Sequence, residues 1–365
     1  MTNMAAPYRI PLWQSLQKTA HLHVALLESS SSLASDVEAN RGQDWIPSIG
    51  NKIDFLEVPT RKVRRGEARY YFLTKFRSIL LPRNYDVVVF GGWESPAYWV
   101  LLATTKMHNR GCVAFYESTV ATMSHHRGPI SWMRKRFFAS MDSIVVPGPA
   151  AREALISIGV PPEKILEGFN AVDVKAFQVL PQPSDKPKNQ GHSYLYVGQL
   201  IARKRVEQIV AAFSSVATPN DTLTIVGSGE LEAELRSITK GNKSISFMPY
   251  VDNRSMPEVM ARHNTLVLAS SQEVWGLVIN EALAGGLHVV VSQNCGVVDS
   301  VEHMSGVFVV EPGLSDLAAK MAESRRSWTG PIWNPEILRH TPEEFASVFM
   351  AAINQSFRSG SRRSK

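Results

Sequence analysis

"NTLVLASSQEVWGLVINEALAGG", Asn264 to Gly286, holds a strand, a loop and a helix in one short span. "NTLVLASS" is an unalternating, β-branched apolar run, the pattern of a strand covered on both faces. "QEVWGL" reads as its loop, and "VINEALAGG" as a helix stopped by Gly285 and Gly286. In open parallel sheets ligands bind beyond the carboxyl ends of the strands, so this loop is a place to look for chemistry. It holds Glu273, and the helix after it holds Glu281, with Trp275 and Gly276 between them. Spacing alone leaves the pair open: an acid/base dyad, metal ligands, hydroxyl-binding groups, or a loop charge and a helix edge. Nothing in the sequence fixes the separation that would distinguish a catalytic dyad.

The same alternation recurs on both sides. The second half adds "SYLYVG", "TLTIVGSG", "SISFMPYV", "LHVVVSQ" and "GVFVVEP", with helical patterns between. In the first half the strand candidates are "HVALLE", "KIDFLEV", "DVVVF", "CVAFY" and "SIVVPG", separated by amphipathic stretches near 66–80, 97–108, 129–140 and 149–158. Buried strands separated by helices predict parallel sheets, and 365 residues exceed one ordinary core, so two doubly wound α/β domains are expected. The seam falls in "FNAVDVKAFQVLPQPSDKPKNQGH", aperiodic and proline-bearing. The expected division is a first domain over 1–168, a linker over 169–192, a second domain over 193–340, and a last helix over 341–358 returning to the first domain. That helix has Thr341 as N-cap and a proline at its first position. "MTNMAAPYR" begins about where a first strand should be ending, so either that strand is abbreviated or the start lies upstream.

Composition narrows the class. Apolar content of 44% and charged content of 20% are those of a globular protein. Cys112 and Cys295 lie far apart in apolar surroundings and read as buried thiols, which argues against a disulfide framework or a zinc site. No apolar run approaches the length of a membrane span, and the N-terminus lacks a signal-peptide core, so a cytoplasmic setting is expected. No D-x-D occurs, and the ten histidines show no ligand spacing beyond His21/His23 and His125/His126. The net charge is +6, gathered at Arg61, Lys62, Arg64, Arg65 and Arg69, at Arg134–Arg136, and in the C-terminal tail. With Trp132, Phe137 and Phe138 interleaved, "ISWMRKRFF" reads as a basic-aromatic helix for an anionic lipid surface, or else as a solvated helix with a core face. It does not read as a base-stacking platform, and no nucleic-acid partner is expected.

Two further strand ends carry chemistry. "YVGQLIARKRVEQIVAAF" runs from a strand through Gly198 into Arg203, Lys204 and Arg205 at a helix start. Cations there oppose the helix dipole, and a bound anion would compensate them. "IVGSGELEAEL" places Gly227 and Gly229 where backbone can approach a ligand closely, or where a tight turn needs them.

These segments together resemble the nucleotide-sugar-dependent GT-B glycosyltransferases of family 4. "EVWGLVINEALAGGLHVVVS" is similar to that family's E-x7-E motif. "YVGQLIARKR", "IVGSGELEAEL" and "FMPYVDNRSMPEVMARHNTLVLASS" match in order and spacing, and "PYRIPLW", "YEST", "SIVVPGPAAREALISIGVPPEKI" and "NAVDVKAF" do so more weakly. The resemblance covers essentially the whole chain and implies two Rossmann-like doubly wound domains facing a central cleft. It implies a retaining transferase that moves a sugar from a nucleotide-sugar, such as a UDP- or GDP-sugar, to a glycan or lipid-linked acceptor in cell-envelope or exopolysaccharide synthesis. A degenerate GT-B binding protein, or another GT-B enzyme such as a sugar-nucleotide epimerase, is the alternative. Carried over, Glu273 contacts donor-sugar hydroxyls, Glu281 the ribose, and Arg203 and Lys204 the diphosphate. Gly276 and Leu277 add backbone N–H groups, Val251 reads the base, Gly198 and Gly227 line the donor site, and Glu117 stands where many relatives have a histidine near the reacting sugar. No metal is needed in such a site. The protein is expected in the cytoplasm, peripheral on the inner membrane face through Arg61–Arg69 and Trp132–Phe138. Departures are Gln199 for an arginine, Arg205 for a glycine, Pro249 for a glycine and Glu117 for the histidine.

Overall fold

The computed structural model describes residues 1–28, 53–65, 68–178 and 191–363. The chain forms two compact units, one of Met1–Asn170 with Pro342–Lys365 and the other of Ala171–Thr341. Lys52, the end of the tail and half of the linker stretch, 179–190, lie outside the described residues.

In the first unit, β5 (Val87–Phe90), β6 (Gly111–Phe115), β7 (Ser143–Val146) and β8 (Ile165–Glu167) form a parallel sheet in that order. β6 and β7 are buried at every position, as their unalternating sequence requires. A second parallel pair joins β1 (His23–Leu26) to β2 (Asp54–Glu57). Met1–Asn3 bridge the two: Thr2 N donates to Ala25 O at 2.9 Å, Leu27 N to Thr2 O at 3.0 Å, and Gly91 N to Met1 O at 2.8 Å. Helices α1 (Ile10–Gln17), α2 (Pro96–Met107) and α3 (Pro129–Ala139) belong to this unit. The last helix, Pro342–Arg363, packs on α1, β6 and β7, with Phe345 and Phe349 5.9 and 5.4 Å from the Phe115 ring.

The helical reading of residues 66–80 holds only for the short turn Phe76–Ile79 and is corrected for the part before it. Thr60–Arg65 (β3) and Ala68–Leu73 (β4) form an antiparallel hairpin. Lys62 and Tyr71 are paired on one face and converge on Glu28, whose carboxylate accepts from Lys62 Nζ at 2.6 Å and Tyr71 Oη at 2.7 Å. Arg69 lies 3.6 Å from the same carboxylate. Burial works against the Glu28 charge, but the hydrogen bonds from Lys62 and Tyr71 outweigh it and hold its carboxyl below the usual range. Three aromatics, Tyr70, Tyr71 and Phe72, favour a strand here, and a buried carboxylate needs these partners.

The basic-aromatic helix is also corrected in detail. Phe137 and Phe138 are core residues, and Arg134 is buried over the Trp93 ring at 4.9 Å, with Nη2 donating to Ser124 O at 2.7 Å. Trp132 is 66% exposed, and Ile130, Met133, Lys135 and Arg136 are exposed with it.

The second unit holds one parallel sheet of six strands in the order β11 (Ile245–Met248), β10 (Thr222–Val226), β9 (Ser193–Val197), β12 (Thr265–Leu268), β13 (His288–Ser292), β14 (Val307–Val310). Chain order reverses between β9 and β12, which makes their carboxyl ends the topological switch point. At the opposite edge of the same strands, His192 Nε2 lies 2.7 Å from Thr265 Oγ1, Thr265 Oγ1 lies 2.7 Å from Ser324 Oγ, and His288 Nδ1 lies 3.1 Å from Ser324 O. Trp328 covers the His288 ring at 4.8 Å.

Burial holds the His288 pKa below its ordinary 6.5. The unfolded chain then binds more protons than the folded one as pH falls below about 6.5, so stability drops with acid. The thermal midpoint is expected to fall between pH 7.5 and 5.5, and to fall less in His288→Gln. An equal fall in both contradicts the assignment to His288.

Candidate functional site

Gly198, Gln199, Leu200 and Ile201 follow β9, and a 3-10 turn over Ala202–Lys204 follows them. Arg205 then adopts φ +51° and ψ +43°, the left-handed region, and caps the helix Val206–Val216. That geometry suits glycine and costs an arginine about 1 kcal/mol. The β9 loop packs on the β10 loop backbone to backbone: a Cβ on Gly227 would lie 2.0 Å from Gly198 O, and one on Gly229 2.3 Å from Leu200 O. The glycine pair is therefore required by packing between two strand ends, before any ligand is considered.

Across the switch point, the loop after β12 is tied to the β9 loop. Ser271 N donates to Arg203 O at 2.8 Å, and Arg203 Nη1 donates to Gln272 O at 3.3 Å. Within this frame Lys204 Nζ pairs with Glu273 Oε2, Arg203 Nη1 lies 3.6 Å from the same oxygen, and Ser270 Oγ donates to it at 3.3 Å. Lys204 is 9% exposed, so its ammonium depends on that carboxylate. The cations at the helix start are thus compensated by a carboxylate of the chain itself. Glu273 is also fixed through its backbone: its N donates to Asn294 O at 3.3 Å, and Gly296 N donates to its O at 3.0 Å. Burial and Glu273 together raise the Tyr196 hydroxyl, which donates to Gln199 O at 2.8 Å.

The chain turns next at Gly276, with φ +98° and ψ +58°, into the helix Leu277–Ala284. A Cβ at Gly276 would meet Ile279 Cδ1 at 3.2 Å and Glu273 Cγ at 3.5 Å, so the glycine supplies both the left-handed turn and close contact with the Glu273 side chain. Trp275 is buried and its Nε1 donates to Asn280 Oδ1 at 3.3 Å, which anchors the turn from below. Glu281 lies in this helix, and burial pushes its carboxyl up to about 8.

The structure therefore brings Arg203, Lys204, Glu273, Gly276 and Leu277 to the two strand ends at the switch point, with Gly198 and Gly227 packed together beside β9 and β10. Val251 follows β11 in the same unit. Glu117 belongs to the first unit, two residues past β6, where Arg9 Nη2 lies 2.6 Å from Oε2 and Asn170 Nδ2 donates to Oε1 at 3.0 Å. The sequence offered no sign of Arg9, Asn170 or Ser270 as site residues. Arg9 stands in the quoted "PYRIPLW", but its partner is 108 positions away. Among the described residues no group of three or more His, Cys, Asp or Glu side chains is arranged to hold a metal, and no helix is long and apolar enough to cross a membrane.

Comparison with known proteins bears on the family and the fold. The family described as "Glycosyltransferase Family 4" matches residues 22–176, and "Glycosyl transferases group 1" matches residues 181–326. An uncharacterized glycosyltransferase of Methanocaldococcus jannaschii is 28% identical over 120 residues, which is 32% of this chain and 31% of that protein. The glycogen synthase of Mycobacterium tuberculosis is 29% identical over 145 residues, 38% of this chain and 35% of that one. The matched parts span about a third of the length of these curated relatives. Among solved structures, Anabaena HepE in complex with UDP superposes with a TM-score of 0.67 at 14% identity, covering 100% of this chain and 97% of that one. A second HepE structure is a complex with UDP-glucose. The lipopolysaccharide outer core galactosyltransferase WaaB, in its apo form, gives 0.70 at 12% identity, covering 97% and 98%. At these identities the structures establish the fold.

Glu281 supplies a test of the site's electrostatics. Its folded carboxyl binds a proton up to about pH 8, the unfolded one only up to about 4.5, so stability falls as pH rises through that window. Glu281→Gln is expected to raise the thermal midpoint more at pH 8.5 than at pH 5. An equal gain at both would contradict a neutral Glu281 carboxyl.

Proposed function

We propose, from the premise that the chain belongs to the GT-B glycosyltransferases, with a family 4 domain followed by a group 1 domain, that it is a retaining transferase. It moves a sugar from a nucleotide-sugar to a glycan or lipid-linked acceptor in cell-envelope or exopolysaccharide synthesis. The observation that carries this reading is the Lys204–Glu273 pair, with Arg203 beside it, at the switch point of the second unit. A nucleotide-sugar brings a diphosphate and a polyhydroxyl group joined by one bond, and this cluster offers cations and a carboxylate side by side.

Arg203 and Lys204 receive the diphosphate and stabilise the charge that grows on it as the glycosidic bond breaks. The N–H groups at the start of the helix after Gly276 add to that grip. Once the diphosphate neutralises Lys204, the Glu273 carboxylate turns to the donor-sugar hydroxyls. In the empty protein Glu273 therefore occupies the counter-charge role that the diphosphate later takes. Glu281 holds the ribose hydroxyls, and Val251 meets the base. The acceptor binds on the first unit, by Glu117. The UDP and UDP-glucose complexes of the Anabaena neighbour support a uridine donor as the first to try.

The exposed face of α3, with Trp132, Met133, Lys135 and Arg136, and the outward arginines Arg61, Arg64 and Arg65 of the hairpin support a further part of this reading, that the protein docks on an anionic membrane surface at its cytoplasmic side. On vesicles of phosphatidylcholine with added phosphatidylglycerol, Trp132→Ser with Lys135→Ser and Arg136→Ser is expected to sediment far less than the unchanged protein. Equal sedimentation on neutral vesicles contradicts the electrostatic part.

The donor site is tested by calorimetry and turnover together. Lys204→Ala is expected to weaken UDP binding roughly 10–100-fold, the value of a charge-assisted contact, and to reduce turnover at least as much. Glu273→Gln is expected to keep or tighten UDP binding, because a competing anion is gone, while turnover falls about 100-fold. Unchanged binding and turnover in both variants contradict the proposal.

A further inference from the structure

The carboxyl end of β6 gathers a second polar cluster, wholly within the first unit. Glu117 comes from the loop after the strand, Arg9 from the residue before α1, and Asn170 from the last residue of the unit's first segment. Both carboxylate oxygens are engaged: Arg9 Nη2 lies 2.6 Å from Oε2, and Asn170 Nδ2 donates to Oε1 at 3.0 Å. Arg9 is itself fixed from three sides. Its Nη1 donates to Thr2 Oγ1 at 3.2 Å, and its guanidinium sits over the Phe115 ring at 5.2 Å and the Tyr8 ring at 5.8 Å. Burial disfavours the guanidinium charge, but Glu117, together with Tyr8 and Tyr98, outweighs it and keeps the arginine charged.

Stability alone does not account for this arrangement. A largely buried ion pair returns little of its desolvation cost, and α1 already anchors itself through Leu12, Trp13 and Leu16. What the cluster does achieve is a carboxylate of fixed position and neutralised charge whose side chain is still 23% exposed. A carboxylate accepts about four hydrogen bonds, and two are used here, so lone pairs remain for a donor arriving from solvent. The place is where parallel sheets bind ligands. With the pair's net charge at zero and only acceptor capacity left on Glu117, the partner it suits is a neutral hydroxyl; a phosphate or carboxylate at that point would face Glu117 directly.

We propose that Arg9 is a positioning residue that, with Asn170, fixes Glu117 as the hydroxyl-binding carboxylate of an acceptor subsite on the first unit, for a sugar or other polyol. The group that reacts is a hydroxyl, whatever charge the rest of the acceptor carries. This rests on the transferase reading above.

The test uses the intact chain and the nucleotide released from UDP-glucose, GDP-glucose and ADP-glucose, with glycerol and glucose as neutral hydroxyl donors. Arg9→Gln and Glu117→Gln are each expected to lower turnover about 10–100-fold, the cost of a misplaced group, with the donor KM within about twofold. The double variant should be no slower than the slower single one, because both act through one carboxylate. Arg9→Lys should recover much of the loss. Losses that multiply, or a donor KM that rises in step with a lower thermal midpoint, overturn the proposal in favour of a structural role. If Arg9→Gln does not fold, Asn170→Ala carries the same test: slower turnover at constant donor KM is expected, and unchanged turnover overturns it. An unchanged protein that binds and cleaves none of the three nucleotide-sugars overturns the transferase reading itself, and this inference with it.

Discussion

The pairing of Lys204 with Glu273 is the constraint on which the second unit turns. A lysine ammonium at 9% exposure is tolerable only beside an opposite charge, and stripping one partner from a buried pair costs about 3–5 kcal/mol. The pair can form because β9 and β12 are neighbours in the sheet although 67 residues separate Val197 and Thr265 in sequence terms of strand order. Strands buried on both faces have no room for charge along their length, so ionic chemistry is pushed to their carboxyl ends. There the backbone bond from Ser271 to Arg203 locks the two loops at one register, and Gly276 lets the following helix start against the Glu273 side chain.

The first unit solves a similar problem differently. Two of its carboxylates, Glu28 and Glu117, are each surrounded by donors from distant segments: Lys62, Tyr71 and Arg69 for one, Arg9 and Asn170 for the other. Glu28 is 2% exposed and serves to hold the β3–β4 hairpin down, whereas Glu117 keeps contact with solvent. Two carboxylates with comparable partners thus differ in what they are free to do, and exposure is the difference.

The strands of both sheets were largely legible because parallel strands covered on both faces must be runs of Val, Ile and Leu, and helices must separate them. The GT-B fold and the expectation that Arg203, Lys204 and Glu273 share a site came from the resemblance carried by motif order. The strand ends by themselves suggested only an anion on the cations and left Glu273 open. The failures share a cause. Strand β4 looks helical because it has no clean alternation, and its strand character depends on Glu28, an anchor forty-three positions before Tyr71. Phe137 and Phe138 read as surface aromatics because a helix with charges on several faces does not announce which one is covered; the Trp93 ring, which takes Arg134 inward, decides it. Arg9 was invisible for the same reason: its meaning comes only from Glu117. Gly227 carried a local signal, but the sequence cannot say whether a close approach is to a ligand or to another loop, and the structure supplies the loop.

The central claim is that the diphosphate of a nucleotide-sugar displaces Glu273 from Lys204. The most direct measurement is a crystal structure of the chain with UDP bound. The account expects the diphosphate against Lys204, Arg203 and the backbone N–H groups at Gly276 and Leu277, with the Glu273 carboxylate turned away from Lys204. UDP bound elsewhere, or bound with the Lys204–Glu273 pair intact and no phosphate on Lys204, would contradict it.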